Sequence, residues 1–290
     1  MFERFARSVG LAKASLAVLR ADKELLLFPL VSFVALLIVV ISFAVPFAAL
    51  GMLGDAADGQ LTPAMVVLAF LFYVVAYTVI FFFNSALVGA AMIRLDGGDP
   101  TLGDGLRLAA SRFAAIVAYA VVAATVGMVL RFISERAGII GQLIGGVLGF
   151  AWSVVTFLVV PVLVVERVGP IEAIKRSGGL LRRTWGEQLI GNIGIGIVFT
   201  LIGLVVVLLG GLLIVVLAQI APVLAIAGVV LVVVAVGLVA LIGAAVSGIF
   251  TASLYRYATK GDAGPLFRGE TMAGAFRSKS GPAPATLPPH

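Results

Sequence analysis

The sequence contains no cysteine, and its only histidine, His290, is the last of its 290 residues. The missing thiols exclude disulfides, thiolate metal sites and cysteine nucleophiles, and leave no redox compartment to read. The missing internal imidazole removes His-based zinc sites, haem ligation through histidine and Ser-His catalysis. Charge is scarce too: 12% of residues are Asp, Glu, Lys or Arg, about half the soluble average. No catalytic residue, cofactor or metal is therefore assigned.

Apolar side chains fill that space, at 62% of the chain and a mean hydropathy of +1.20. They fall into long uncharged blocks, and about 20 such residues cross a hydrocarbon core roughly 30 Å thick. Six spans are expected, over 25–50, 63–93, 112–131, 138–165, 188–218 and 222–257. The last two divide at Pro222, a residue suited to a helix first turn. The first block, Leu25 to Leu50, exceeds the 7 to 15 apolar residues of a signal-peptide core, so it is expected to remain as an anchor.

Cations set the expected orientation. Eighteen of the 20 Lys and Arg residues lie on one set of segments and only Arg131 and Arg136 on the other. Both termini are thus expected in the cytoplasm of a prokaryotic cell, with the chain a multi-pass protein of the cytoplasmic membrane. Residues 259–277 read as a cytoplasmic amphipathic segment, and the Pro- and Ala-rich tail 278–290 as disordered.

A segment of helical periodicity precedes each pair of spans. Phe2, Phe5, Val9, Ala12, Leu16 and Leu19 mark the first. The second and third open at Pro100 and Pro170, and an arginine stands twelve residues after each of Pro100, Pro170 and Pro265: Arg112, Arg182 and Arg277. The expected fold is all-α and membrane-integral, six transmembrane helices as three hairpins, each preceded by a cytoplasmic amphipathic helix. Residues 1–258 form one transmembrane domain, with repeats over 1–94, 95–167 and 168–258. Against the repeat stands the tendency of any basic loop to look amphipathic as its cations snorkel.

Several residues stand out within this frame. Gly141, Gly145, Gly149 and Ser153 recur every four residues, a face that lets another backbone approach, in a dimer or within the chain. Pro161 frees a carbonyl and bends the fourth span, as a hinge or a fixed kink. Asn84 places an amide deep in the second span, where it needs a partner helix or a substrate. Asp96, Asp99 and Asp104 superficially resemble the acidic motif of phospholipid-head-group transferases, but without its longer spacing; turn and cap duty accounts for them. No charge falls inside any span, which argues against ion-coupled transport.

Val160-Pro161-Val162-Leu163-Val164-Val165-Glu166-Arg167, followed by Ala173-Ile174-Lys175-Arg176-Ser177, with Asp22-Lys23-Glu24-Leu25-Leu26-Leu27-Phe28-Pro29 near the start, resembles prokaryotic six-span membrane proteins of unknown function. That group is similar to the membrane domain attached to some glycerophosphodiester phosphodiesterases. The resemblance implies architecture more than activity, since no soluble phosphodiesterase domain is present. The expected function is non-catalytic engagement of anionic membrane lipids or a protein partner, a second copy included, through Lys175, Arg176, Arg182, Arg183 and Trp185. Nucleic acid is not expected as a partner. The alternatives are a carrier or flippase for a lipophilic substrate and, third, a metal-dependent lipid enzyme using the Asp96 cluster.

Overall fold

The computed structural model describes residues 2–52, 62–136, 138–184 and 190–263. Ten α-helices lie among them: α1 (Phe2–Ala21), α2 (Leu27–Ala49), α3 (Pro63–Leu95), α4 (Leu102–Ser111), α5 (Phe113–Arg136), α6 (Gly138–Val155), α7 (Val159–Val165), α8 (Pro170–Thr184), α9 (Ile190–Ile220) and α10 (Pro222–Lys260). Six stretches are long and apolar enough to cross a membrane, the fourth formed by α6 and α7 together. Their outward surface is apolar: Phe33, Ile38, Leu143, Leu208 and Val233 are all more than half exposed. In water that surface would be a liability; in lipid it is the solvated face.

Local chemistry sets the helix starts. Thr62 caps α3, its hydroxyl accepting the Met65 N–H, with Pro63 at the first helical position, where a missing N–H costs nothing. Thr101 caps α4 and trades hydrogen bonds with Asp104, so that helix begins two residues after Pro100. Pro170 and Pro222 open α8 and α10 directly, and Gly261 ends α10 in the left-handed conformation, at φ +73°.

Consecutive spans pack together, α2 on α3, α5 on α6 and α9 on α10, while α3 also contacts α5 and α10. The densest packing lies towards the end of the bundle that carries α1, α4 and α8. There the α3 residues Ser85 to Met92 are buried, as are Ala245, Val246 and Gly248 to Tyr255 of α10. Small residues make this possible. A Cβ on Gly248 would fall 2.4 Å from Leu87 Cδ2, and one on Gly105 would fall 2.7 Å from the Ala86 carbonyl oxygen, so α10 and α4 each touch α3 where only glycine fits.

The three shorter helices are held differently. Leu11, Ser15, Val18 and Leu19 of α1 are buried, and α1 lies against α9 and α10. Helix α4 rests on α3 through Gly105 and Ala109. Ala173, Ser177, Leu180 and Leu181 of α8 are buried, against α5, α6 and α7, while Ile171, Glu172, Lys175, Arg176 and Arg182 are exposed.

The fourth span is not one helix. Its hydrogen-bond ladder stops at Val155 and restarts at Val159, leaving a three-residue break at Thr156, Phe157 and Leu158. Pro161 explains part of this, because its ring leaves no N–H for the Phe157 carbonyl, and it sits in the first turn of α7 rather than mid-helix. The Leu158 N–H, freed by the break, donates to Ser177 Oγ at 3.0 Å. A buried side chain from another helix thus closes the gap.

Candidate functional site

The break opens onto a cavity of about 590 Å³ between α2, α3, α5, the fourth span and α10. This volume is typical of sites for small organic ligands. One wall is an aromatic column. Tyr77 and Phe81 of α3 stack at 5.6 Å, and Phe81 meets Tyr119 of α5 at 4.6 Å. The column continues away from the cavity through Tyr73, Phe72 and Phe43. Trp152 and Phe157 of the fourth span add further apolar surface. The rim residues Ser153 of α6 and Ala244 of α10 are exposed, so the cavity reaches the flank of the bundle beside these two spans.

Its polar groups are neutral, with no Asp, Glu, Lys or Arg among the lining residues. Ser153, Thr156 and Thr251 each donate their hydroxyl to the carbonyl four residues back in their own helix. That satisfies the donor and leaves oxygen lone pairs for a second partner. The side chains of Asn84, Ser32 and Ser247 make no hydrogen bond among the described residues, and all three residues line the cavity. The Asn84 carbonyl oxygen faces Gly248, where an added Cβ would stand 3.6 Å away. No helix among the described residues supplies the amide partner that the depth of Asn84 leads one to expect. The amide turns to the cavity instead.

The charged residues gather beyond the cavity, at the end carrying α1, α4 and α8. Arg256, with a side chain only 12% exposed, reaches the Leu95 carbonyl at 2.6 Å, Asp96, and Asp262 at 2.8 Å. Lys260 joins the same Asp96 carboxylate at 3.4 Å. Arg94 pairs with Asp99 at 2.9 Å and also donates to the Ala21 carbonyl. Arg112 donates to the Leu163 and Val168 carbonyls at 3.2 Å each, tying α4 to the turn between α7 and α8. Glu166 accepts twice from Arg176, at 3.0 and 3.1 Å, and once from the Tyr255 hydroxyl. Together these contacts form a polar layer that fixes the helix ends.

This layer separates the acidic residues that the sequence sets close together. Asp96 belongs to Arg256 and Lys260, Asp99 to Arg94, and Asp104 to the Thr101 cap and Arg107. Its hydrogen bonds with Thr101 hold the Asp104 carboxyl below the usual range. Asp22 behaves oppositely: burial pushes it up, although its Oδ1 accepts the Glu24 N–H and Arg94 is near. No group of His, Asp or Glu among the described residues is arranged to hold a metal ion.

The expected lipid-facing cations divide. Arg176 is committed to Glu166, whereas Lys175 and Arg182 are exposed and make no ion pair among the described residues. The Arg183 side chain and Trp185 lie outside the described residues, as do residues 264–290 with Pro265 and Arg277. The glycine ladder divides too. Gly141 and Gly145 are buried, and a Cβ on Gly145 would overlap Ser134 of α5 at 1.9 Å. Gly149 faces open space, and Ser153 lines the cavity. In α10, Gly243 packs on Phe199 of α9 while Ser247 and Thr251 turn to the cavity. Sequence reasoning missed Tyr77, Tyr119, Trp152, Thr156 and Ser177. They lie on four different helices and the broken segment between α6 and α7, so no spacing along the sequence joins them.

Fold and site together define a polytopic helical membrane protein with a laterally open, neutral cavity. The chain belongs to a family of unknown function, DUF6159, whose model matches residues 63–267. That accords with the expectation of an uncharacterised membrane family; no link to glycerophosphodiester phosphodiesterases appears. No curated protein and no solved structure matches the chain.

Proposed function

We propose that this protein is a non-catalytic lipid-binding protein of the prokaryotic cytoplasmic membrane, which takes an amphiphilic molecule from the bilayer into the cavity between α3, α5, the fourth span and α10. The cavity itself supports this reading: it reaches the flank of the bundle beside two membrane helices, its wall is aromatic, and its polar groups are uncharged. A ligand arriving from lipid meets apolar surface first and hydrogen-bonding groups within. Both termini lie on the cytoplasmic side, in keeping with the cation asymmetry. A carrier cycle would use the same cavity with a moving fourth span, for which the break at residues 156–158 is the candidate joint.

The test is occupancy. Protein extracted in mild detergent and sprayed for native mass spectrometry should retain a bound lipid. Gly127→Phe should abolish that retention, since a Cβ there meets nothing closer than the Tyr77 hydroxyl at 3.6 Å and the ring would enter the cavity. Equal retention by parent and variant would remove the reading.

A second surface is favoured by one specific observation, the exposure of Lys175 and Arg182 on the helix that also exposes Ile171. Such a face suits anionic head groups, at about 1 kcal/mol per near-surface cation, screened by salt. Replacing Lys175, Arg182 and Arg183 with Gln should weaken binding to nanodiscs rich in phosphatidylglycerol. Undiminished binding would leave those cations with topology alone.

A further inference from the structure

We infer that the occupant of the cavity carries an uncharged head group bearing hydroxyl or amide functions, bound at Asn84, and not a phosphate or carboxylate. This deepens the lipid-binding reading above and rests on it.

The donor and acceptor inventory argues first. Asn84 offers two N–H donors and a carbonyl oxygen, none used among the described residues, and Ser32 and Ser247 each offer a free hydroxyl. Ser153, Thr156 and Thr251 have spent their protons on their own helices and offer only lone pairs. The Tyr77 hydroxyl and the Trp152 indole N–H also line the cavity, and Tyr119 shares a hydrogen bond with Thr156, so the site presents both donors and acceptors to its ligand. An alcohol or amide both donates and accepts, and so satisfies each kind of group. A phosphate monoester dianion or a carboxylate only accepts, leaving the hydroxyl oxygens of Ser153, Thr156 and Thr251 facing its negative charge.

Electrostatics argues second. Desolvating an anion is strongly unfavourable unless a cation or metal offsets it. Here no cation lines the cavity, and four of the polar layer are committed elsewhere: Arg94 to Asp99, Arg256 to Asp96 and Asp262, Arg176 to Glu166, and Arg112 to two backbone carbonyls. Releasing any of them would break the layer that fixes the helix ends. A neutral head group asks for no such release.

Three probes that share one chain separate the possibilities: 1-monooleoylglycerol, oleate and oleoyl lysophosphatidate. They compete for the delipidated full-length protein in native mass spectrometry. Monooleoylglycerol should bind about tenfold more tightly than either anion, and Asn84→Leu should cut its binding about tenfold, the scale of one or two lost hydrogen bonds. The melting temperature of Asn84→Leu should hold, because the Asn84 side chain makes no hydrogen bond among the described residues, and Asn84→Gln should restore part of the affinity. Equal or tighter lysophosphatidate binding, abolished by Gly127→Phe, would overturn the neutral class while leaving the cavity as a lipid site. Unchanged monooleoylglycerol binding by Asn84→Leu would overturn the assignment to Asn84. Failure of all three probes, or binding indifferent to Gly127→Phe and to Ala123→Phe, would instead bring down the underlying reading.

Discussion

The Ser177 hydroxyl of α8 donates to the Val155 carbonyl of α6 across 2.6 Å, and so joins a helix at the polar end of the bundle to the last turn before the broken segment of the fourth span. The same oxygen accepts the Leu158 N–H at 3.0 Å, and Ser177 is wholly buried. Thr156, Phe157 and Val160, on either side of that clamp, line the cavity. One side chain from another helix thus takes up both the freed N–H and the freed carbonyl.

Ser177→Ala should therefore destabilise the protein more than its small volume change suggests. It strands a buried N–H and a carbonyl together, at about 1–3 kcal/mol for each unsatisfied group. Thermal unfolding of the detergent-solubilised protein measures this. A melting temperature equal to the parent's would mean that the break is satisfied without Ser177.

The glycine ladder gives an internal control. Gly145→Leu should lower the melting temperature by several degrees, since its first carbon already overlaps Ser134 of α5. Gly149→Leu, one turn further along α6, should leave stability unchanged because nothing lies within 4 Å. Equal effects would show that these glycines are not distinguished by packing.

The Asp22 carboxyl should make stability depend on pH. Its side chain is 7% exposed, and burial raises it from an ordinary value of 3.8. The folded state then holds this proton to higher pH than the unfolded state. Its contribution is full below 3.8 and declines as pH rises towards the folded value. Asp22→Asn keeps an acceptor for the Glu24 N–H and removes the titration, so its stability relative to the parent should grow as pH rises above 3.8. Asp104 titrates in the opposite sense but identically in both proteins. Parallel stability profiles would count against the assignment.

Orientation is tested without background, because the native chain has no cysteine. Single cysteines at Asp58, which lies outside the described residues, and at Lys175 should react with impermeant maleimide from opposite faces of the membrane. Lys175 suits this because it is exposed, whereas Ala173 nearby is completely buried. Labelling of both from one face would contradict six spans.

The sequence by itself determined the six spans, because desolvated backbone in lipid must close its hydrogen bonds within each segment and about 20 apolar residues suffice. Helix starts were legible at Pro170 and Pro222 for the same local reason, a fixed φ and a missing donor, whereas at Pro100 the Thr101 cap moved the start to Leu102. Pro161 announced a disturbance, but the position of the break depended on Ser177, 16 residues further on, and on α8 folding back to present it. Asn84 stood out as an amide without a neighbouring charge; only the tertiary arrangement left it without a helix partner among the described residues and facing a space. The glycine ladder looked uniform, and the position of α5 separated Gly145 from Gly149. Arg176 and Lys175 looked equivalent until Glu166 of another segment took one of them. Hydropathy is a property of each segment against its solvent, and so it is written along the chain. Which polar groups remain unpaired depends on every neighbouring helix at once, and that was decided only when the helices packed.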